Sequence, residues 1–402
     1  MRQPSEARTV GSPPWIHVTQ TLCTDGSPVN TVVKALCHEA EERGIFSAVV
    51  GAHDRAYVFP HARLIEVDFT TYLKREYLLR REVLADTITG HAHLGRRYVD
   101  RLFRPVADVL DSGRSDGPVV VHDGFYGAYG LDLVKRRHPG RPFFLYVHTA
   151  LSRSYSCGEL RRFICSAEGV ICVSDAMREQ VARRMREPSL ESRLHTVLNG
   201  VDSEFYHPAD SRPDRSARIL FMGTMAPHKG AHVLLDALKR LRTRDFRATF
   251  IGSSAYMSDL ACSPYERRLR DDSADLGGRV SFEPYALRDY VPARYRDHDI
   301  LVVPSQFDDP CPLVLLEGMA SGLAVVCSGR GGMRQVGAHA VQYALTPATF
   351  AEVIESLVSD AGLRAEWGRR ARARAEQLSW SSSFDELSRI VLSDEASTLQ
   401  AS

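Results

Sequence analysis

The chain has 402 residues, room for two or three domains. With 44% hydrophobic and 25% charged residues it has the make-up of a soluble globular protein with sizeable cores. Fifty-one Lys and Arg against 50 Asp and Glu leave a formal charge of +1, which argues against nucleic-acid binding through a global positive field. Transmembrane spanning is excluded too, because no apolar run approaches the ~20 residues a bilayer requires.

Residues 1–14 are polar, carry Pro and Gly, and lack the apolar centre of a signal peptide. A disordered tail and a cytoplasmic location are expected. The eight cysteines include no C-x-x-C pair, so free thiols are expected in place of a disulfide framework or a zinc cluster. Short apolar, β-branched runs then predict strands at Trp15–Thr19, Ser47–Val50, Val119–His122, Phe143–His148, Gly169–Ser174 and His195–Leu198. A helix over Pro28–Arg43 follows from Val29, Val32, Val33 and Leu36 at i, i+3, i+4, i+7, with Gly44 as its stop. Residues 73–109 are basic and helical in pattern; they suit a solvated face or a membrane-surface or acceptor-binding helix. HPADSRPDRS, 207–216, reads as a linker. Beyond it, strands are predicted at Arg218–Met222, Ala248–Ile251, Val280–Phe282, Asp299–Pro304 and Ala324–Cys327, with a helix at Ala231–Arg240. A basic helical stretch, 363–376, and an amphipathic segment, Trp380–Leu392, follow. Apolar strands alternating with helices predict parallel α/β sheets. The expected domains are 15–206 and 217–379 around that linker, with 380–402 a helix returning to the first domain and a tail.

Three loops of the second half carry chemistry. In Phe221-Met-Gly223-Thr224-Met-Ala-Pro-His-Lys229-Gly230 a strand gives way to a helix, so backbone N–H groups, a helix dipole and the Lys229 charge can meet an anion. It is not a Walker loop. In Val303 to Gly322, Pro312 fits a helix start, Asp309 sits in the preceding loop and Glu317 lies inside an otherwise apolar helix, where a carboxylate needs partners. Sugar or ribose hydroxyls are suitable ones, and neighbouring backbone is another. Ser328-Gly-Arg330-Gly-Gly-Met-Arg334 is a Gly-rich loop directly after a strand.

Together these segments resemble the nucleotide-sugar-binding domain of the retaining family 4 glycosyltransferases. The family's G-R-L-x-x-x-K-G loop is matched by Gly223 to Gly230, and its E-x7-E signature by Asp309 and Glu317 with seven residues between. Leu198-Asn199-Gly-Val-Asp202 resembles the P-N-G-V-D segment before the linker, and Gly169 to Ser174 the strand upstream. In the first half, Asp25-Gly26-Ser-Pro sits where the family has a Gly-rich loop, and His148 at a strand end resembles its sugar-contacting histidine. The chain departs from the family pattern at Thr224 (usually Arg), Asp309 (usually Glu), Pro284 (usually Gly) and Gln335 (commonly Glu).

The resemblance implies a GT-B architecture, two Rossmann-like domains facing across a cleft, the first binding acceptor and the second a nucleotide sugar. It implies a retaining hexosyltransferase that takes a nucleotide-diphosphate sugar, UDP-sugar first, as co-substrate, with no metal or other cofactor. Lys229, Asp309 and His148 would be catalytic, with Gly26, Gly223, Thr224, Gly230, Tyr285, Pro312, Leu313, Val314 and Glu317 binding the donor. Arg330, Arg334, Asn199 and Asp123 are further candidates, the two arginines as replacements for the charge absent at Thr224. The acceptor would be a sugar, an aminocyclitol of specialised metabolism, or a glycan; oligomeric state stays open. Alternatives on the same scaffold are a sugar phosphorylase, an epimerase, or a catalytically degenerate partner subunit.

Overall fold

The computed structural model describes residues 14–19, 27–51, 61–66, 103, 106–108, 110–111, 117–122, 127–149, 155, 157–210, 216–254 and 262–399. Gly26, Asp123, residues 1–13, most of 73–109 and the centre of the expected linker lie outside these.

Among the described residues thirteen strands form two sheets. The first holds β1 (Trp15–Thr19), β2 (Ser47–Gly51), β3 (Arg63–Glu66), β4 (Val119–His122), β5 (Phe143–Val147), β6 (Gly169–Cys172) and β7 (Leu194–Thr196), in the order β3-β2-β1-β4-β5-β6-β7. Its pairings from β3 across to β6 are parallel. The second holds β8 (Ala217–Met222), β9 (Phe246–Ile251), β10 (Val280–Glu283), β11 (Ile300–Val303), β12 (Ala324–Cys327) and β13 (Gln342–Tyr343), in the order β10-β9-β8-β11-β12-β13 and parallel throughout. The apolar runs become strands buried on both faces; every residue of β2, β4, β5, β6, β11 and β12 is buried. β3 and β13 carry no apolar run to announce them. Both are edge strands, covered less completely, so Arg63 and Gln342 are tolerated there.

In each sheet the strand order reverses once, between β1 and β4 and between β8 and β11. Doubly wound sheets place ligands at that point, beyond the carboxyl ends of the strands. The helices around the sheets follow the sequence pattern. Pro28–Glu42 starts on Ser27, whose side chain accepts from the Asn30 N–H, and buries Val29, Val32, Val33 and Leu36. Ala231–Arg240 buries Val233, Leu234, Leu235 and Leu238; a fully buried leucine contributes roughly 1.5–3 kcal/mol.

The described chain divides into two compact units. One runs through Cys172 and takes in Glu179–His195 and the residues from Phe384; the other is Val173–Arg178 with Thr196–Ser383. The division therefore falls at 195/196, earlier than the polar stretch 207–216. Hydrogen bonds explain the shift: Val201 N–H donates to Leu378 O, Asn199 Nδ2 to Cys311 O, and Arg372 Nη1 to Ser203 O and Tyr206 O. These hold 199–206 to the second unit. The last helix, Trp380–Leu399, contributes Phe384 to the first unit, where its ring lies 5.4 Å from that of Trp15 and Asp385 pairs with Arg43 at 2.8 Å.

Candidate active site

Beyond β8 the chain runs from Gly223 through a 3-10 turn, Pro227–Lys229, into the helix Ala231–Arg240. Gly230 makes the corner at φ +81°, and a Cβ on it would stand 2.0 Å from Pro304 O. Only glycine fits both the left-handed backbone and that approach. The corner presses the β8 loop onto the loop after β11, where Gln306 N–H donates to His228 O at 2.7 Å. Lys229 is thereby aimed at Asp309. Its Nζ donates to Asp309 Oδ2 at 2.8 Å and lies 4.7 Å from the centre of the Phe307 ring. Asp309 is buried and Lys229 half-buried, so water screens this pair less than a surface one.

The Gly-rich loop after β12 closes on the same place. Gly331, at φ +60°, lies so near the 308–309 backbone that a Cβ would come within 2.3 Å of Asp309 O, and Gly332 N–H donates to that oxygen at 2.9 Å. Loops from β8, β11 and β12 therefore meet around Lys229 and Asp309. Pro312 opens the helix Leu313–Ala320, and no side-chain cap covers its N-terminus or that of Ala231–Arg240. Helix ends of this kind offer N–H groups and a positive dipole to an anion.

Glu317, inside that helix, is held by the protein itself. Tyr295 donates its hydroxyl to Oε2 at 2.9 Å, and Arg288 Nη2 lies 2.7 Å from Oε1. Tyr206 packs edge-on to Tyr295 with ring centres 5.9 Å apart. Burial and the Glu317 carboxylate push both tyrosines above their ordinary range. Burial opposes the Arg288 charge, but the carboxylate and the two tyrosines outweigh it and hold Arg288 above its ordinary value. Sequence reasoning missed Arg288, Tyr295 and Tyr206. No motif marks them, and the one available signal was that a carboxylate on an apolar helix must find partners.

The remaining candidates are placed as follows. Gly223 and Thr224 are half-buried in the β8 loop, where Ala226 N–H donates to Thr224 O. Tyr285 is half-buried just past β10, and Val314, half-buried like Leu313, lies in the first turn of its helix. Asn199 is buried; its Nδ2 donates to Cys311 O at 3.1 Å and its Oδ1 has no partner. Arg330 and Arg334 are exposed, and Arg334 lies over the Tyr343 ring at 4.8 Å. Among the described residues neither arginine pairs with an acid. Gln335 exchanges two hydrogen bonds with Asp175, accepting from its N–H and donating to its Oδ2. An amide can donate to a carboxylate; the family's glutamate would set two carboxylates together.

In the first unit His148 follows β5. His17 Nδ1 stands 2.9 Å from His122 Nε2, and His122 Nδ1 stands 3.0 Å from His148 Nε2. Burial lowers His17 to about 4 and His148 to about 3. Burial, then the neighbouring histidines, hold His122 well below the ordinary value. The sequence reading isolated His148 and missed this row. Among the described residues one group could hold a metal ion: His38, Glu41 and His61, with His38 and Glu41 exposed. Glu41 Oε2 already bonds His61 Nδ1 at 2.7 Å. The seven described cysteines are all free.

Two family models match the chain and meet at residues 202–205. Residues 29–205 match a family model described as Glycosyltransferase Family 4, and residues 202–374 one described as Glycosyl transferases group 1. Spore coat protein SA of Bacillus subtilis (strain 168) is 29% identical over 266 residues, 60% of this chain and 70% of that protein. Phosphatidyl-myo-inositol mannosyltransferase of Mycolicibacterium smegmatis is 28% identical over 276 residues, 65% and 68% of the two chains. The crystal structure of Anabaena HepE in complex with UDP-glucose superposes with a TM-score of 0.70 at 17% identity, covering 95% of this chain and all of that one. At that identity the superposition speaks for the fold.

Proposed function

Because the chain belongs to the group 1 glycosyltransferases and has their GT-B fold, we propose that it is a retaining hexosyltransferase that moves a sugar from a UDP-sugar to a hydroxyl acceptor without a metal. The observation that carries this reading is the Lys229–Asp309 pair, 2.8 Å apart where three strand-end loops meet beside the β8/β11 reversal. Breaking the sugar–phosphate bond puts negative charge on the diphosphate. A lysine keeps three donors, so Lys229 can hold Asp309 and still neutralise phosphate oxygens. N–H groups at the starts of Ala231–Arg240 and Leu313–Ala320 add to that stabilisation. A carboxylate has about four acceptor sites; Glu317 Oε2 accepts from Tyr295 and Oε1 is ion-paired with Arg288, which leaves acceptor sites for ribose hydroxyls. Asp309 and His148 would orient the sugar. The family resemblance implies same-face transfer, in which the leaving phosphate deprotonates the acceptor hydroxyl.

The name of the mycobacterial relative points to an inositol-bearing acceptor for that protein. This supports a cyclic polyol or aminocyclitol here, with a glycan the other choice. Incubation with UDP-hexoses and a polyol panel, followed by NMR of the product, tests the reading. The expected result is UDP release, an unchanged anomeric configuration and full activity after exhaustive chelation. An inverted product, or activity lost to EDTA and restored by Mn²⁺, overturns it.

A further inference from the structure

His17 on β1, His122 on β4 and His148 after β5 form a row across three adjacent strands, at the point where the first sheet reverses its order. His17 and His122 are fully buried, while His148 is half-buried at the outer end. The rings meet edge to edge at 2.9 and 3.0 Å, each contact joining one Nδ1 to one Nε2. Burial keeps all three neutral at neutral pH.

A neutral imidazole carries one N–H. Two contacts among three such rings need two donors, and the middle ring can neither give nor receive twice without becoming charged. The protons must therefore all lie on Nδ1 or all on Nε2. The inner end of the row decides between them. Among the described residues His17 Nε2 is buried with no hydrogen-bond partner. An all-Nε2 arrangement would strand an N–H there, whereas an all-Nδ1 arrangement strands a lone pair. Proteins leave buried N–H groups unpaired less often than acceptors.

We propose that His17 and His122 are positioning residues that lock the proton of His148 onto Nδ1, so that His148 meets the bound sugar as a hydrogen-bond donor. The sugar contact rests on the function proposed above; the proton order rests on the three rings alone. An orphaned atom at the buried end thus fixes the polarity at the open end. A lone histidine would have its tautomer set by whatever ligand arrived, and an Nδ1 acceptor would lose the bond to any ligand oxygen that cannot donate.

The test is ¹⁵N NMR of the histidine rings in the full-length, ligand-free protein, with His148 assigned by its loss in His148→Gln. Wild type should show a protonated Nδ1 and a bare Nε2 at His148. His17→Leu should keep that pattern, because His122 Nε2 then becomes the buried orphan and faces the same choice. His122→Leu should release it, with Nε2–H appearing at His148 and kcat/KM falling roughly tenfold, about the worth of one hydrogen bond. A bare Nδ1 in wild type overturns the inference, whether or not His122→Leu folds. So does a His148 pattern unchanged in folded His122→Leu. UDP-sugar binding, measured separately by calorimetry, distinguishes the two readings. Protonated Nδ1 without any sugar binding upholds the proton order and counts against the transferase role.

Discussion

Lys229 and Glu317 carry opposite burdens, although both sit in ion pairs. Lys229 is half-buried, and its partner Asp309 is 6% exposed. Thr224 supplies no charge, and Arg334 lies on the Tyr343 ring. Lys229→Ala should therefore lower kcat/KM by roughly 10²-fold, the usual cost of removing one preorganised stabiliser of a developing anion. A steady-state comparison checks this, and a loss under threefold would remove Lys229 from the mechanism. Glu317 has a structural load as well, since Arg288 and Tyr295 both depend on it. Breaking one member of a buried pair costs about 3–5 kcal/mol; with the Arg288 side chain 29% exposed, Glu317→Gln should cost about 2 kcal/mol after allowance for screening. Adding Arg288→Met should recover much of the lost Tm without restoring the donor KM. Recovery of both would mean that Glu317 acts only through the fold.

The loops around β8, β11 and β12 hold their shape by close backbone approach. Gly230 combines φ +81° with a Cβ position 2.0 Å from Pro304 O. Left-handed backbone in a non-glycine residue costs on the order of 1–3 kcal/mol before any clash is counted. Gly230→Ala should lower both Tm and activity, because the displaced corner carries Lys229 away from Asp309. Gly278, where an added Cβ meets nothing within 4 Å, is the matched control, and Gly278→Ala should leave activity unchanged. Equal effects from the two substitutions would refute the clamp. The helix Ala361–Glu376 shows a different device. Its arginines look like a surface charge run, but Arg372 Nη1 donates to the carbonyls of Ser203, Tyr206 and Ala320, and Arg374 donates to those of Gln335 and Val336.

Stability of the whole chain should depend on pH through the histidine row. The folded state lowers His17 to about 4 from 6.5, so the unfolded chain takes up the proton first as pH falls. Stability is then complete above about pH 6.5 and is lost as pH drops toward 4, by about 1.4 kcal/mol per pH unit for each such histidine. Urea unfolding at about pH 7 and about pH 5 should give a smaller difference for His17→Phe than for wild type. An unchanged difference would mean that His17 is not buried neutral.

Much of this architecture was legible in the chain because its cues are local. Apolar runs such as Val119-Val-Val and Ala324-Val-Val announce strands buried on both faces, and Val29, Val32, Val33 and Leu36 announce a helix face. Gly223 to Gly230, Asp309 and Glu317 stood out locally as a strand-to-helix loop and a carboxylate on an apolar helix, while their expected roles came from the family resemblance. What was not legible depends on residues distant in sequence. Asp309 finds Lys229 80 positions away, and His17 finds His122 across 105. Glu317 needed a partner by its chemistry, but that the partners would be Arg288 and Tyr295 follows only from packing. The division of the described chain at 195/196 was not legible for a similar reason. A Pro- and Asp-rich stretch marks where the chain is polar, whereas the hydrogen bonds of Asn199 and Arg372 decide which unit 199–206 belongs to. Local pattern specifies the elements; burial and long-range pairing select which side chains act together.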